Sequence, residues 1–243
     1  MRPTLIHTSR TDGIAVVVLT GRLLGIREAA EVEAIFNEFV EDDGLRVVVL
    51  RTVGPDFCAG PDVDLHPVSS GLDPAAAIAS CRVPVIAQLT GAVASVGLEL
   101  ALACDIRIAD STATFSMPDL GAGRLPCWGG TQRLPRAAGR SAAARLLYTG
   151  EVFAAADALR CGLVHQVADE LAAVTEQRAE QLAALAPHAL AMTKEALRRG
   201  PEMPMRAALE LEGDLNHLLQ TTSDRAEGLG AFFAKRPPSF TGQ

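Results

Sequence analysis

Two short runs gather the residues of this chain that could do chemistry. Asp56-Phe57-Cys58-Ala59-Gly60-Pro61-Asp62 and Gly91-Ala92-Val93-Ala94-Ser95-Val96-Gly97-Leu98-Glu99 each follow a brief apolar stretch that ends near a glycine turn. Such turns aim backbone N–H groups at one point and can build an oxyanion hole, a fixed pair of donors for an oxygen that gains negative charge. The second run also holds a serine and a carboxylate. A nucleophilic Ser95 would need a neighbouring base, yet no histidine lies between His66 and His165. A G-x-S-x-G elbow is missing too, since Val93 fills its first glycine position. Glu99, among Leu98, Leu100, Ala101 and Leu102, admits two readings: the solvent face of an amphipathic helix, or a buried acid–base group.

The surrounding pattern sets out the elements that must position these runs. Ile14 to Leu19 is a β-branched run behind Asp12-Gly13 and reads as a strand. Arg27 to Val40 carries apolar residues at helical spacing, and Val47 to Leu50 and Val85 to Ala87 read as buried strands. Val96 to Cys104 reads as a helix, followed by short strands at Ile106 to Ala109 and Thr112 to Phe115. This alternation predicts a parallel, layered α/β core. Beyond Gly129, residues 141–160 and 169–235 are Ala-, Leu-, Glu- and Arg-rich at helical spacing, with Leu163 to Val167 as the one strand-like stretch. Ser69-Ser70-Gly71 with Asp73-Pro74 reads as a flexible loop.

Bulk properties narrow the function. The 243 residues suffice for a real core. A net charge of −7 disfavours a nucleic-acid surface. Five cysteines without a C-x-x-C pair argue against a disulfide framework or a metal site and fit a reducing, cytoplasmic compartment. Met1-Arg2-Pro3-Thr4 opens no apolar stretch of signal type. The most apolar segment, Val83 to Ala109, is interrupted by Gln88, Glu99 and Asp105, so no membrane partner is expected.

The two opening runs resemble the paired signatures of the crotonase superfamily, the enoyl-CoA hydratases and isomerases. Further segments extend the resemblance along nearly the whole chain, in order. These are Cys81 to Ala87, Glu99 to Ala109, Pro126 with Gly129-Gly130-Thr131-Gln132-Arg133-Leu134-Pro135-Arg136, Ala155 to Val164, and Glu227-Gly228 with Phe232 to Phe240. The resemblance implies an α/β crotonase-like spiral of repeated ββα units over residues 1–185. A helical region over 186–243 would then drive assembly into a homotrimer or a dimer of trimers. It also implies an acyl-CoA thioester as substrate, coenzyme A being part of that substrate, with no further cofactor.

For the site, the resemblance implies an oxyanion hole at Val96 and at position 61, with Ala59, Gly60, Asp62 and Gly97 around the substrate. Its two catalytic carboxylates would be Glu99 and, twenty positions later, Asp119, where the hydratases carry a glutamate one methylene longer. Asp119, after a proline and before a glycine-rich turn, could equally serve as a cap or turn residue. Position 61 departs from the pattern, because Pro61 has no N–H to give. Three outcomes follow: the N–H of Gly60 or Asp62 swings in, one donor suffices, or hydration is lost. In the last case another enolate reaction, such as isomerisation, decarboxylation or hydrolysis, or a non-catalytic subunit replaces the hydratase. The segment from Asp62 to Arg82 is short for the family, and Leu19 to Gly25 lacks its usual coenzyme A motif. Arg22, Lys235 and Arg236 remain as phosphate partners by charge alone.

Overall fold

The computed structural model describes residues 6–65 and 70–243. The expectations on Met1 to Thr4, His66 and Ser69 lie outside these residues. A sheet of order β1-β2-β3-β4-β6-β9 forms one layer. Its parallel members are β2 (Ile14–Leu19), β3 (Val47–Thr52), β4 (Val85–Leu89), β6 (Ile106–Ala109) and β9 (Gln166–Val167). The inner strands are Val- and Ile-rich because both of their faces are covered. The edge strand β1 (Ile6–Thr11) runs antiparallel to β2 through Asp12-Gly13, both at positive φ, as a two-residue hairpin turn requires.

A second sheet of order β5-β7-β8 turns the chain back on itself. It holds β5 (Ala92–Ala94), β7 (Thr114–Ser116) and β8 (Phe153–Ala154). The chain leaves β4 for β5 and β6 for β7, a repeated step from the first sheet to the second. At the first crossing only glycine fits: Gly91 has φ +55, and a Cβ there would lie 2.1 Å from the Pro55 carbonyl oxygen.

Helices fill both sides. On one face α1 (Ile26–Glu38), α2 (Pro74–Ser80), α3 (Val96–Ala103), α4 (Gly130–Thr149) and α5 (Ala155–Arg160) close the main core with Phe36, Phe57, Phe115 and Trp128. On the other, α6 (Leu171–Ala183) lays Leu171 and Ala179 over Val47, Val49, Ile86 and Ile108. Then come α7 (Pro187–Arg199), α8 (Met205–Leu219) and α9 (Ser223–Ala234). The buried Lys194 of α7 ties this region to the core through Asp105 Oδ2 at 2.6 Å and the Val83 carbonyl at 2.9 Å.

Several expectations shift. The loop expected through Asp73-Pro74 ends at Asp73, because Asp73 caps a helix over Pro74–Ser80 by accepting from Ala76 N and Pro74 supplies a preset first turn. Strand β7 starts two residues later than expected, since Asp110 holds Thr112 and Ala113 in a turn. Of Leu163 to Val167 only the last two residues pair, while Leu163 N and Val164 N bond back to Ala158 at the end of α5. Strand β8 interrupts the helical run expected over 141–160.

Candidate active site

The helix carrying Glu99 begins at the end of β5, and all eight of its residues are buried. This overturns the solvent-face reading: Glu99 is 1% exposed. A buried carboxylate needs donors, and the loop after Asp119 supplies them. Glu99 Oε1 accepts from Trp128 N at 2.7 Å and Gly130 N at 2.8 Å. The Trp128 ring fixes this loop, its Nε1 donating to the Leu72 carbonyl at 2.8 Å. At position 130 a Cβ would stand 3.1 Å from Glu99 Oε1, so glycine is what lets the backbone come this close. Burial pushes the Glu99 carboxyl up to about 7, with help from the charge of Asp119 and against the pull of the Gly130, Trp128 and Cys127 N–H groups.

Asp119 lies on the 3-10 turn Pro118–Ala122 and is 5% exposed. Ser95 Oγ donates to its Oδ1 at 2.7 Å, and Arg124 Nη2 stands 3.5 Å from the same oxygen. Its Oδ2 is buried without a partner among the described residues. Each carboxylate is therefore anchored through one oxygen. The cap reading of Asp119 fails, since its side chain bonds to Ser95 and Arg124 and not to its own turn.

Both carboxylates line one cavity of about 270 Å³, together with Pro61, Leu65, Val96, Arg124, Leu125, Pro126 and Cys127. The Val96 N–H, in the first turn of α3, has no partner among the described residues, and the helix dipole adds to its positive end. Position 61 is aimed at the same space. Leu24 N donates to the Gly60 carbonyl and Asp62 N to the Leu24 carbonyl. In such a parallel bridge the intervening residue turns its own nitrogen away from the partner strand. That nitrogen belongs to proline. The Asp62 N–H is committed to Leu24 at 2.8 Å, and the N–H of buried Gly60 approaches the Cys58 sulfur.

The chain matches the enoyl-CoA hydratase/isomerase family profile over residues 12–243. It belongs to that family. It is 37% identical to a probable mitochondrial enoyl-CoA hydratase of Arabidopsis thaliana, over 85% of this chain and 73% of that protein. It is 36% identical to the 2,3-dehydroadipyl-CoA hydratase of Escherichia coli, over 83% of each. The crystal structure of an enoyl-CoA hydratase from Bacillus anthracis superposes with a TM-score of 0.94 at 31% identity, covering 99% of this chain and 100% of that one. The crotonase-superfamily fold implied by the motifs is thus the fold of the chain.

Other sequence-predicted residues scatter more widely. Ala59, Gly60, Asp62 and Gly97 do not line the cavity. Gly97 instead permits the close crossing of α3 over Cys58, where a Cβ would lie 2.5 Å from the Cys58 carbonyl. Arg22 pairs with Asp56 at 2.6 Å and Arg236 with Glu227 at 2.6 Å, so both charges are already matched. The anchoring role of the Trp128 and Gly130 amides and the presence of Arg124 and Cys127 in the cavity escaped the sequence reading. The glycine pair at 129–130 was its only signal for the first. A larger cavity of about 740 Å³ lies between β1–β3 and α6, on the far face of the main sheet, away from both carboxylates.

Proposed function

We propose that this chain, an enoyl-CoA hydratase/isomerase-type enzyme, adds water to a 2-enoyl-CoA thioester. One observation carries the reading: two buried carboxylates, each anchored through one oxygen, line a cavity that also holds Val96 at the start of α3. The thioester oxygen accepts from Val96 N–H, so negative charge that builds up on it is stabilised at the start of α3. One ionised carboxylate takes a proton from water, and the water oxygen bonds to the β-carbon. The π electrons move toward the thioester as the enolate, and the protonated carboxyl delivers its proton to the α-carbon. The pair then exchanges one proton to reset. A Glu99 carboxyl near 7 can hold or release a proton at neutral pH, as this division of labour requires.

Pro61 favours a second reading, in which a single donor supports a less demanding enolate reaction such as double-bond isomerisation, or in which the chain is a non-catalytic subunit. Loss of the conjugated thioester absorbance of crotonyl-CoA separates these. Turnover by the parent that vanishes in Glu99→Gln establishes the hydratase. An inert parent refutes it.

The fold leaves Leu197, Met205, Leu209, Phe232 and Phe233 of α7, α8 and α9 exposed. Apolar side chains on neighbouring helices support a homotrimer or dimer of trimers, which sedimentation of the purified chain would measure. No helix among the described residues is long and apolar enough to cross a membrane. The free thiols Cys58, Cys81, Cys104, Cys127 and Cys161 suit a reducing compartment such as the cytoplasm.

A further inference from the structure

Ser95 is the residue whose presence the fold itself does not explain. It joins β5 to α3 at φ +50 and ψ −123, a conformation that strains any side chain and that glycine adopts without strain. A serine before a helix ordinarily repays its place by capping, its oxygen accepting from an amide in the first turn. Here the side chain makes no cap bond. It is 2% exposed, so solvation does not account for it either. Among the described residues its hydroxyl donates to Asp119 Oδ1, at 2.7 Å.

That bond bears directly on the shortness of Asp119. A carboxylate with one methylene has less reach than a glutamate and two free torsions with which to turn away. The Ser95 hydroxyl and the Arg124 guanidinium both approach Oδ1, which leaves Oδ2 buried, unbonded and part of a residue that lines the cavity. Glu99 is held in the same manner from the opposite loop, by the Trp128 and Gly130 amides on its Oε1. We propose that Ser95 is a positioning residue that holds Asp119 so that Oδ2 faces the reacting atoms, and that the backbone strain at position 95 is retained for this bond. The inference rests on the reading of Asp119 as one of the two proton-transfer groups.

Ser95→Gly tests it, because a structural residue and a positioning residue give opposite results. Glycine relieves the strain, so the melting temperature should stay level or rise. The hydration kcat should fall about 10- to 100-fold with little change in KM, the order expected when a catalytic group is misplaced by about 1 Å. The rescue is Ser95→Gly combined with Asp119→Glu: the longer carboxylate reaches without the hydroxyl, and kcat should return to within a few-fold of the parent. A Ser95→Gly variant with the parent's kcat overturns the proposal, as does a double variant whose loss equals the product of the single losses. Exchange of the α-protons of butyryl-CoA in D2O, followed by NMR, keeps the two readings apart, since it needs only a base and a stabilised enolate. A parent that exchanges but does not hydrate refutes the hydratase reading, and a drop in exchange in Ser95→Gly then still supports the role of Ser95. A parent that hydrates, with Ser95→Gly unchanged, refutes the role of Ser95 alone. A parent that does neither overturns both.

Discussion

The two loops that meet over the cavity are built alike and end differently. Residues 56–62 and 90–96 are laced together by bonds from Phe57 N to the Thr90 carbonyl, Cys58 N to Ala92, and Ala94 N to Cys58, and Asp56 Oδ1 accepts from Ala92 N. Each then contributes one residue, Pro61 or Val96, to the lining of the cavity. The second loop runs into a helix, so its nitrogen at Val96 is an unpaired N–H backed by a dipole. The first runs into an irregular bridge with Leu24, and its nitrogen belongs to Pro61. The lesson is that the family scaffold keeps its fold while a single residue, Pro61, changes which loop offers an N–H at its end.

The largest expected effect falls on the loop that is intact. Glu99→Gln keeps the two anchoring amides bonded to Oε1 but cannot transfer a proton, and should lower hydration about 10²–10⁴-fold, measured as the initial rate on crotonyl-CoA. A fall of only a few-fold would transfer the chemistry to Asp119 alone. Next comes the altered loop. Pro61→Ala restores an N–H where the bridge already aims a nitrogen, and should raise kcat toward the roughly 10²-fold that one oxyanion donor contributes. An unchanged rate would mean that another N–H of this loop serves as the working donor and would erase the contrast between the loops.

Glu99 also marks the second loop as the one that opposes stability. Its carboxyl is raised from 4.5 to about 7 on folding, so the native state binds more protons than the unfolded chain between those values. Stability therefore falls as pH rises through that window. At about 1.36 kcal/mol per unit, the ceiling is roughly 3 kcal/mol between pH 4.5 and 8. Denaturant titrations at pH 5 and pH 8 should show this decline in the parent and its loss in Glu99→Gln. A parent equally stable at both would mean that Glu99 stays ionised throughout.

How far these features could be read in advance depends on what held them. Strands β2, β3, β4 and β6 were legible because a sheet covered on both faces demands continuous Val and Ile. Glu99, Val96 and Pro61 were singled out in another way, by the resemblance of their two runs to the paired crotonase signatures. The donors to Glu99 were not, because they are backbone amides brought in by the Trp128 loop, and any residue carries an amide. Helix α3 misled in the other direction: a glutamate among leucines has the pattern of an amphipathic helix, and only the tertiary packing buries all of its faces. The partnership of Ser95 and Asp119 joins residues 24 positions apart on different turns, and no local pattern announces it.

The smallest effect tests whether the lacing itself, rather than the two nitrogens, holds the site. Gly97 and Gly60 occupy the two loops, but for different reasons. At Gly97 the backbone is helical and the obstacle is space: an added Cβ would lie 2.5 Å from the Cys58 carbonyl and 2.6 Å from its Cβ. At Gly60 space is open, with Ser95 Cβ at 3.9 Å the nearest atom, and the obstacle is φ +136. Gly97→Ala must therefore push α3 off the first loop and should destabilise by about 1–3 kcal/mol, as overpacking of a tight core does. Gly60→Ala should lose about 1–3 kcal/mol through strain alone, without moving the helix. Denaturation midpoints measure both penalties, and hydration rates tell them apart. Because α3 carries both Val96 and Glu99, Gly97→Ala should lose activity beyond its loss of stability. If both variants hydrate equally well at a temperature where both are folded, the register between the two loops is not what aligns the donor with the acid.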